Sequence, residues 1–232
     1  MSEPQTQTQP TDDLNPPTIP VPVSFDYPNF DSIEGLALVG NASQRKTQDG
    51  IVLRLTPAAM WQQGSAWYRQ AGRVDGGFTT TFRFRLSEPG GIAAADGFSF
   101  SAQNLGSDRN VDEQGMRQQL SVQFETYNQN NIYVNNLGST VASCSLNDLF
   151  DMRDGSVYEV VITVSYKMRL SVAIGRVEER RLPLPPREVL SNVLIQLSQF
   201  SPAFVGFGAR TGAGVENHDI LSWSFQGSAA PR

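Results

Sequence analysis

Three places in this 232-residue chain bring together side chains able to do chemistry. Asp96-Gly97 stands just ahead of the run Phe98-Ser-Phe-Ser. A carboxylate only accepts hydrogen bonds, and those it takes from hydroxyl donors are charge-assisted. On its residues alone, Asp-Gly at this place reads as a turn. The stretch VQFETYNQNN at 122–131 holds one acid, Glu125, among several amides. Glu125, the Tyr127 carbonyl and the oxygens of Asn128, Asn130 and Asn131 are of the kind calcium gathers six to eight of. A transition metal needs nitrogen or several carboxylates, which this stretch lacks. The same run also reads as a strand followed by an Asn-rich turn held by side-chain to backbone hydrogen bonds. Residues 211–214, TGAG, supply loop chemistry with two glycines free to take positive φ. Arg210 and Glu216 flank that loop and read either as ligand contacts or as solvated charges, the latter being usual at such a turn, and His218, the one histidine, reads as a loop residue. Asp148, Asp151 and Asp154 sit three apart in a turn-like stretch and read as solvated. No pair of acids on one strand suits glycoside hydrolysis, and GxSxG, HExxH, P-loop and CxxC patterns do not occur. No enzyme is expected.

Many short strands must position these groups. Twenty glycines and fourteen prolines with 39% apolar residues suit strands joined by turns. Residues 77–86 alternate cleanly, with Phe78, Phe82, Phe84 and Leu86 on one side and Arg83 and Arg85 on the other. Further strands are expected over 51–56, 65–68, 98–101, 120–126, 157–167 and 169–174, the last two as a hairpin around Lys167-Met168. Val205 and Phe207 alternate with glycines before the 211–214 loop, and 220–225 alternates after it. Only 187–194 has helical periodicity, and 147–150 suits one short turn. Trp61, Trp67 and Trp223 read as core or sheet residues. The fold class predicted is all-β, an antiparallel two-sheet β-sandwich.

The polar, Pro/Thr/Gln-rich residues 1–24 read as an extended or disordered tail, 25–226 as one domain, and 227–232 as a short C-terminal tail. A net charge of −5 and a pI of about 4.9 argue against nucleic acid or an anionic membrane as partner, and no apolar run reaches the length of a membrane span. The single Cys144 excludes an internal disulfide and reads as a small, at least half-buried side chain. Residues 1–10 lack the basic start and apolar segment of a signal peptide.

The order of residues at 204–225, VGFGARTG and then ILSWSF, closely resembles the C-terminal signature of the legume-type (L-type) lectins: V-G-F-S-A-x-T-G, a short loop, I-L-S-W-S-F. FDYPNF at 25–30 and LALVGNA at 36–42 resemble that family's opening pattern. ADGFSF at 95–100 resembles its A/G-D-G-x-A-F, and VQFETYNQN at 122–130 its metal loop, V-E-F-D-T-Y-x-N. The resemblance implies a jelly-roll, concanavalin-A-like sandwich that binds carbohydrate. It makes Asp96, preceded by a cis peptide bond, the carboxylate that accepts sugar hydroxyls. Ala213, Gly214 and Gly115 become backbone donors, and Tyr127, Asn128 and Asn130 further sugar contacts, with Tyr127 and Tyr133 the aromatic candidates for stacking.

Departures from the metal loop matter as much. Gln123 replaces the family's first acid, Glu125 its shared aspartate, and residues 130–133 contain no third acid. The downstream histidine gives way to Asn135 or Asn136. Loss of the transition metal is therefore expected, leaving calcium on Glu125, Tyr127, Asn128 and Asn131. The expected partner is a carbohydrate or glycoconjugate, with a homodimer by analogy. By the same resemblance the protein is secreted or surface-associated, and the N-terminal residues leave the cytoplasm open. The alternative is a structural or adhesion module that keeps the fold without sugar binding.

Overall fold

Alternation along Phe78–Gly91 buries Phe78, Phe82, Phe84 and Leu86 against a core and leaves Arg83 and Arg85 on the other side, as a strand with one packed face must. The computed structural model describes residues 21–177 and 185–229, and the same logic recurs through it. In chain order its strands are β1 Ser24–Tyr27, β2 Leu36–Gly40, β3 Ser43–Thr47, β4 Gly50–Thr56, β5 Gln63–Tyr68, β6 Phe78–Gly91, β7 Gly97–Gln103 and β8 Leu120–Glu125. They continue as β9 Asn131–Asn136, β10 Ser139–Ser145, β11 Val157–Val164, β12 Arg169–Arg176, β13 Arg187–Leu194, β14 Phe204–Arg210 and β15 Gly214–Gly227. One sheet runs β13-β12-β11-β6-β15-β4-β3, with β1 added beside β15; the other runs β10-β9-β8-β7-β14-β5-β2. Every strand pairing is antiparallel.

Aromatic side chains close the gap between the sheets. Phe82 meets Phe207 at 5.0 Å between ring centroids, Phe84 meets Phe98 at 4.9 Å, and Trp223 meets Phe207 at 4.7 Å. Each pair joins one sheet to the other, so the fold is the two-sheet sandwich expected. Trp67 and Trp223 are fully buried, as predicted. The β11–β12 hairpin turns at Met168 with φ 57°, and residues 147–149 form the expected turn.

Four expectations need correction. Residues 187–194 are not helical but form β13, the edge strand beside β12. Two register shifts in that pairing and Asn192 at φ 57° break strict alternation, so Val189, Leu190 and Val193 reach the core at a spacing that imitates a helix. The strand expected over 157–167 ends at Val164. Trp61 belongs to no core: it is 76% exposed. The Asn-rich run after 128 is a turn only briefly, since β9 begins at Asn131. Of the tails, residues 1–20 and 230–232 lie outside the described residues. Val23 is buried, and its carbonyl accepts the Gly227 N–H at 2.8 Å.

Candidate functional site

Register across one end of the seven-stranded sheet sets the candidate site. Asn131 of β9 stands opposite Glu125 of β8, Glu125 opposite Gly97 of β7, Gly97 opposite Arg210 of β14, and Arg210 opposite Gln63 of β5. In β14 Val205, Phe207 and Ala209 are buried in the core, so Arg210 falls on the outer face by the two-residue period. Gln123 and Glu125 do the same in β8, where Val122 and Phe124 point inward. Two strand spacings put Glu125 and Arg210 about 10 Å apart, with only a glycine between them. Gly97 has φ 121°, and a Cβ there would lie 2.1 Å from the Phe124 carbonyl.

Asp96 sits at the start of this row. The Ala95–Asp96 peptide bond is cis, as the family resemblance implied. The Asp96 N–H donates to the Arg210 carbonyl at 3.0 Å, and its carbonyl accepts the Thr126 N–H at 3.1 Å. Both flanking strands thus hold its main chain. Arg210 Nε donates to Asp96 Oδ2 at 3.2 Å.

The segment before β8 adds a second acid. It lies on the outer face of the sheet, pinned by Trp67 Nε1 to the Arg109 carbonyl (2.6 Å), Val111 N–H to Ser65 Oγ (2.8 Å) and Met116 N–H to Ser101 Oγ (3.0 Å). Glu113 on this segment contacts Arg210 Nε through Oε2 at 3.2 Å, and its side chain is only 4% exposed. Burial raises the Glu113 carboxyl above its usual range, helped by Asp112. Burial pushes Glu125 up to about 7, with repulsion from Glu113 and then Asp96 adding to it. Gly115, read as a donor to ligand, gives its N–H to the Asp112 carbonyl at 3.1 Å. A Cβ at Gly115 would come within 2.3–2.9 Å of three serine hydroxyls, Ser101, Ser99 and Ser121, so that loop presses flat on the sheet.

Residues 211–213 face Asp96 from the other side. Neither Gly212 nor Gly214 is in the positive-φ region, contrary to expectation; close approach explains both glycines. A Cβ at Gly214 would sit 2.6 Å from the Ala93 carbonyl, and one at Gly212 would touch Asp96 Oδ2 at 3.4 Å. Gly214 is buried and opens β15, whereas Gly212 and Ala213 are half-exposed. Their two N–H groups find no acceptor among the described residues. Thr211 anchors the loop: Oγ1 donates to the Ala59 carbonyl at 2.6 Å and accepts from the Gln62 N–H at 2.9 Å. Next to it the Trp61 N–H donates to the Gly212 carbonyl at 3.2 Å, with Trp61 at φ 60°. Sequence reasoning missed Trp61, Glu113 and the role of Arg210. Arg210 was accessible in principle, through the alternation of β14.

Of the amides in the loop expected to hold calcium, Asn130 is engaged at both ends and Asn131 through its donor nitrogen. Gln123 Nε2 donates to Glu125 Oε2 at 2.6 Å, turning a donor toward the one acid of the loop. Asn130, 1% exposed, donates to the Phe150 carbonyl at 2.5 Å and accepts the Met152 N–H at 3.2 Å. Asn131 Nδ2 donates to Gln129 Oε1 and to the Tyr133 hydroxyl, both at 2.9 Å. Asn135 bonds Gln123 and Thr140, and Asn136 bonds the backbone of Gln119 and Gln196. Tyr127 is 38% exposed, and Asn128 beside it has φ 53°. Among the described residues no group of three or more His, Cys, Asp or Glu side chains is arranged around a metal position. One carboxylate, already taking the Gln123 donor, brings too little charge for a divalent-cation donor set.

Glu216 and His218 are not loop residues. Both lie in β15 and are buried, at 1% and 0% exposure. Thr126 Oγ1 donates to Glu216 Oε1 at 2.5 Å, His218 Nε2 lies 3.2 Å from that oxygen, and Thr56 Oγ1 meets His218 Nδ1 at 2.6 Å. The Thr126–Glu216 and Thr56–His218 contacts are hydrogen bonds, whereas His218 Nε2 makes none among the described residues. Of the spaced acids, Asp151 pairs with Arg153 and Asp154 with Arg176.

Known proteins share this fold. The lectin from Bauhinia forficata in complex with GalNAc superposes with a TM-score of 0.70 at 24% identity, covering 88% of this chain and 97% of that one. The VIP36 exoplasmic/lumenal domain in its Ca2+/Man3GlcNAc-bound form gives 0.63 at 19% identity, over 89% and 90% of the two chains. A seed lectin beta chain from Spatholobus parviflorus is 29% identical over 187 residues, 71% of this chain and 75% of that protein. The family model of the legume lectin domain matches residues 22–232, and the chain belongs to that family.

Proposed function

We propose that this chain is a non-catalytic carbohydrate-binding module that seats a sugar over Asp96. The observation that carries the reading is the Asp96 carboxylate set against Gly212, beside the unengaged N–H groups of Gly212 and Ala213. A sugar presents neighbouring hydroxyls, each both donor and acceptor. The carboxylate accepts from them, and the two N–H groups donate to a hydroxyl or ring oxygen. Trp61 adds an exposed aromatic face at the same rim, which suits the C–H face of a pyranose. Tyr127 and Asn128 stand at the opposite rim, whereas Gly214, Gly115 and Asn130 are buried or engaged and contribute by shaping the loops. Net charge −5 favours a neutral glycan over an acidic one. Membership of the lectin family supports the same reading, as does the lack of paired catalytic acids.

A glycan array probed with the wild type and with Asp96→Ala tests it. The expected result is binding of a neutral glycan that Asp96→Ala abolishes while its thermal melt stays in place. Failure to bind any glycan overturns the reading in favour of a structural or adhesion module. Sustained hydrolysis of a β-glucan would overturn its non-catalytic half.

A further inference from the structure

The C-terminal signature leaves one position open, and this chain fills it with Arg210. That residue grips Asp96 twice, through its carbonyl at 3.0 Å from the Asp96 N–H and through Nε at 3.2 Å from Oδ2. The same guanidinium reaches Glu113, with Nε 3.2 Å from Oε2 and Nη2 donating to Oε1 at 3.4 Å. Glu113 Oε2 is buried, and this ionic contact with Arg210 is the nearest thing it has to a partner, for it makes no hydrogen bond among the described residues. Glu125 stands across Gly97 from Arg210. Two carboxylates, Asp96 and Glu113, thus meet on one guanidinium, and a positive charge between two acids offsets their repulsion. The loop at 122–131 brings a single carboxylate, Glu125, with Gln123 donating to it and Asn130 engaged at both ends, which is too little charge for a divalent ion. A guanidinium supplies the charge instead, as a planar fork matched to carboxylates and always protonated.

We propose that Arg210 is the fixed cation of this site: it positions the Asp96 carboxylate, offsets the Asp96–Glu113 pair, and lets the site form without a metal ion. Arg210 acts through Asp96 and is a positioning residue. Asp96 keeps Oδ1 and lone pairs of Oδ2 for sugar hydroxyls. The consequence for sugar affinity rests on the carbohydrate-binding reading; the consequence for the pair does not.

The experiment uses the full chain, stripped with chelator, as wild type, Arg210→Ala and Arg210→Lys. Thermal melts are run in EDTA and in millimolar CaCl2 or MnCl2, and glycan affinity is measured calorimetrically in the same buffers. The wild-type melt is expected to be the same in all three. Arg210→Ala should melt lower in EDTA and recover part of the loss in calcium, because its carboxylates then take an external ion; Arg210→Lys, with charge but no fork, should fall between. Wild-type glycan affinity should ignore EDTA, and Arg210→Ala should weaken it about tenfold or more, the worth of a charge-assisted contact. A wild-type melt raised by either metal, or Arg210→Ala indistinguishable from wild type in both measurements, overturns the proposal. Should Arg210→Ala not fold, Arg210→Lys and the wild-type metal response decide. A wild type that binds no glycan removes the sugar-binding reading while the melts still judge Arg210. Glycan binding that requires calcium keeps that reading and removes this one.

Discussion

The N–H of Trp61 donates to the carbonyl of Gly212 at 3.2 Å, which fixes the most exposed of the described large apolar side chains beside the loop that faces Asp96. An indole in water at that place contributes no core packing, so its removal should act on binding alone. Trp61→Ala is expected to weaken glycan affinity by a few-fold to about tenfold, matching the roughly 0.5–1.5 kcal/mol of an aromatic contact. Its melting temperature should stay at the wild-type value. Saturating glycan should also shift the tryptophan emission of the wild type and not that of the variant. Trp67 and Trp223 are buried and report nothing at the rim.

Gly212 and Gly214 separate binding from stability. A Cβ at Gly212 makes ordinary contact with the Asp96 carboxylate at 3.4 Å, whereas one at Gly214 overlaps the Ala93 carbonyl at 2.6 Å and Ala95 Cβ at 2.8 Å. Gly212→Val should therefore fill the space over Asp96 and abolish glycan binding, with the midpoint of urea unfolding little changed. Gly214→Ala should lower stability by about 1–3 kcal/mol, as overpacking does. The reverse outcome, with Gly214→Ala the silent variant, would mean that the loop is not held as described.

Much of this fold was legible because Phe78, Phe82, Phe84 and Leu86 alternate without interruption, and because 204–225 keeps its order of glycines, aromatics and serines. β9 and β10 were hidden for a physical reason. Asparagine disfavours strands, yet Asn135 and Asn136 are buried in β9 with their amides bonded to neighbouring segments. β13 was mistaken for a helix because its irregular pairing moves Leu190 and Val193 to one side. At the site, Asp96 and the 211–214 loop were visible as motifs. Glu113 was not, since nothing local shows that a loop 16 residues before Gln129 folds back over the sheet and delivers a carboxylate to Arg210.

The buried chain Thr126–Glu216–His218–Thr56 links the site's edge to the other sheet, since the Thr126 N–H also holds the Asp96 carbonyl. Glu216→Ala would strand the Thr126 hydroxyl away from water and remove the acid nearest His218 Nε2, which makes no hydrogen bond among the described residues. It is expected to cost about 2–4 kcal/mol, the range for orphaning buried polar partners. Glu216→Gln preserves an acceptor for Thr126 and should cost less. Urea unfolding of the two variants checks the order; equal losses would show that the carboxylate charge, rather than the hydrogen bond, is what the site requires.

Asp75 accounts for part of the acid sensitivity. Two Arg73 nitrogens donate to its carboxylate at 3.1 Å and Ser201 Oγ donates at 3.0 Å. These contacts, the Arg73 pair first, hold its carboxyl below the usual range. The folded state therefore binds the proton less readily than the unfolded chain, whose aspartate titrates near about 4. The contribution is complete above that value and disappears as the pH falls through the lowered folded value. Both partners lie at the surface, with about a third of each side chain exposed, so solvent screens the pair and keeps the gain small. Asp75→Asn should thus be slightly less stable than wild type at neutral pH, and the two unfolding curves should converge as the pH falls through the lowered folded value. Ser201 Oγ also accepts the Val74 N–H at 3.2 Å, so Ser201→Ala should reproduce part of the neutral-pH loss. A gap between wild type and Asp75→Asn that stays constant down to acid pH would assign the loss to packing instead of to the charge.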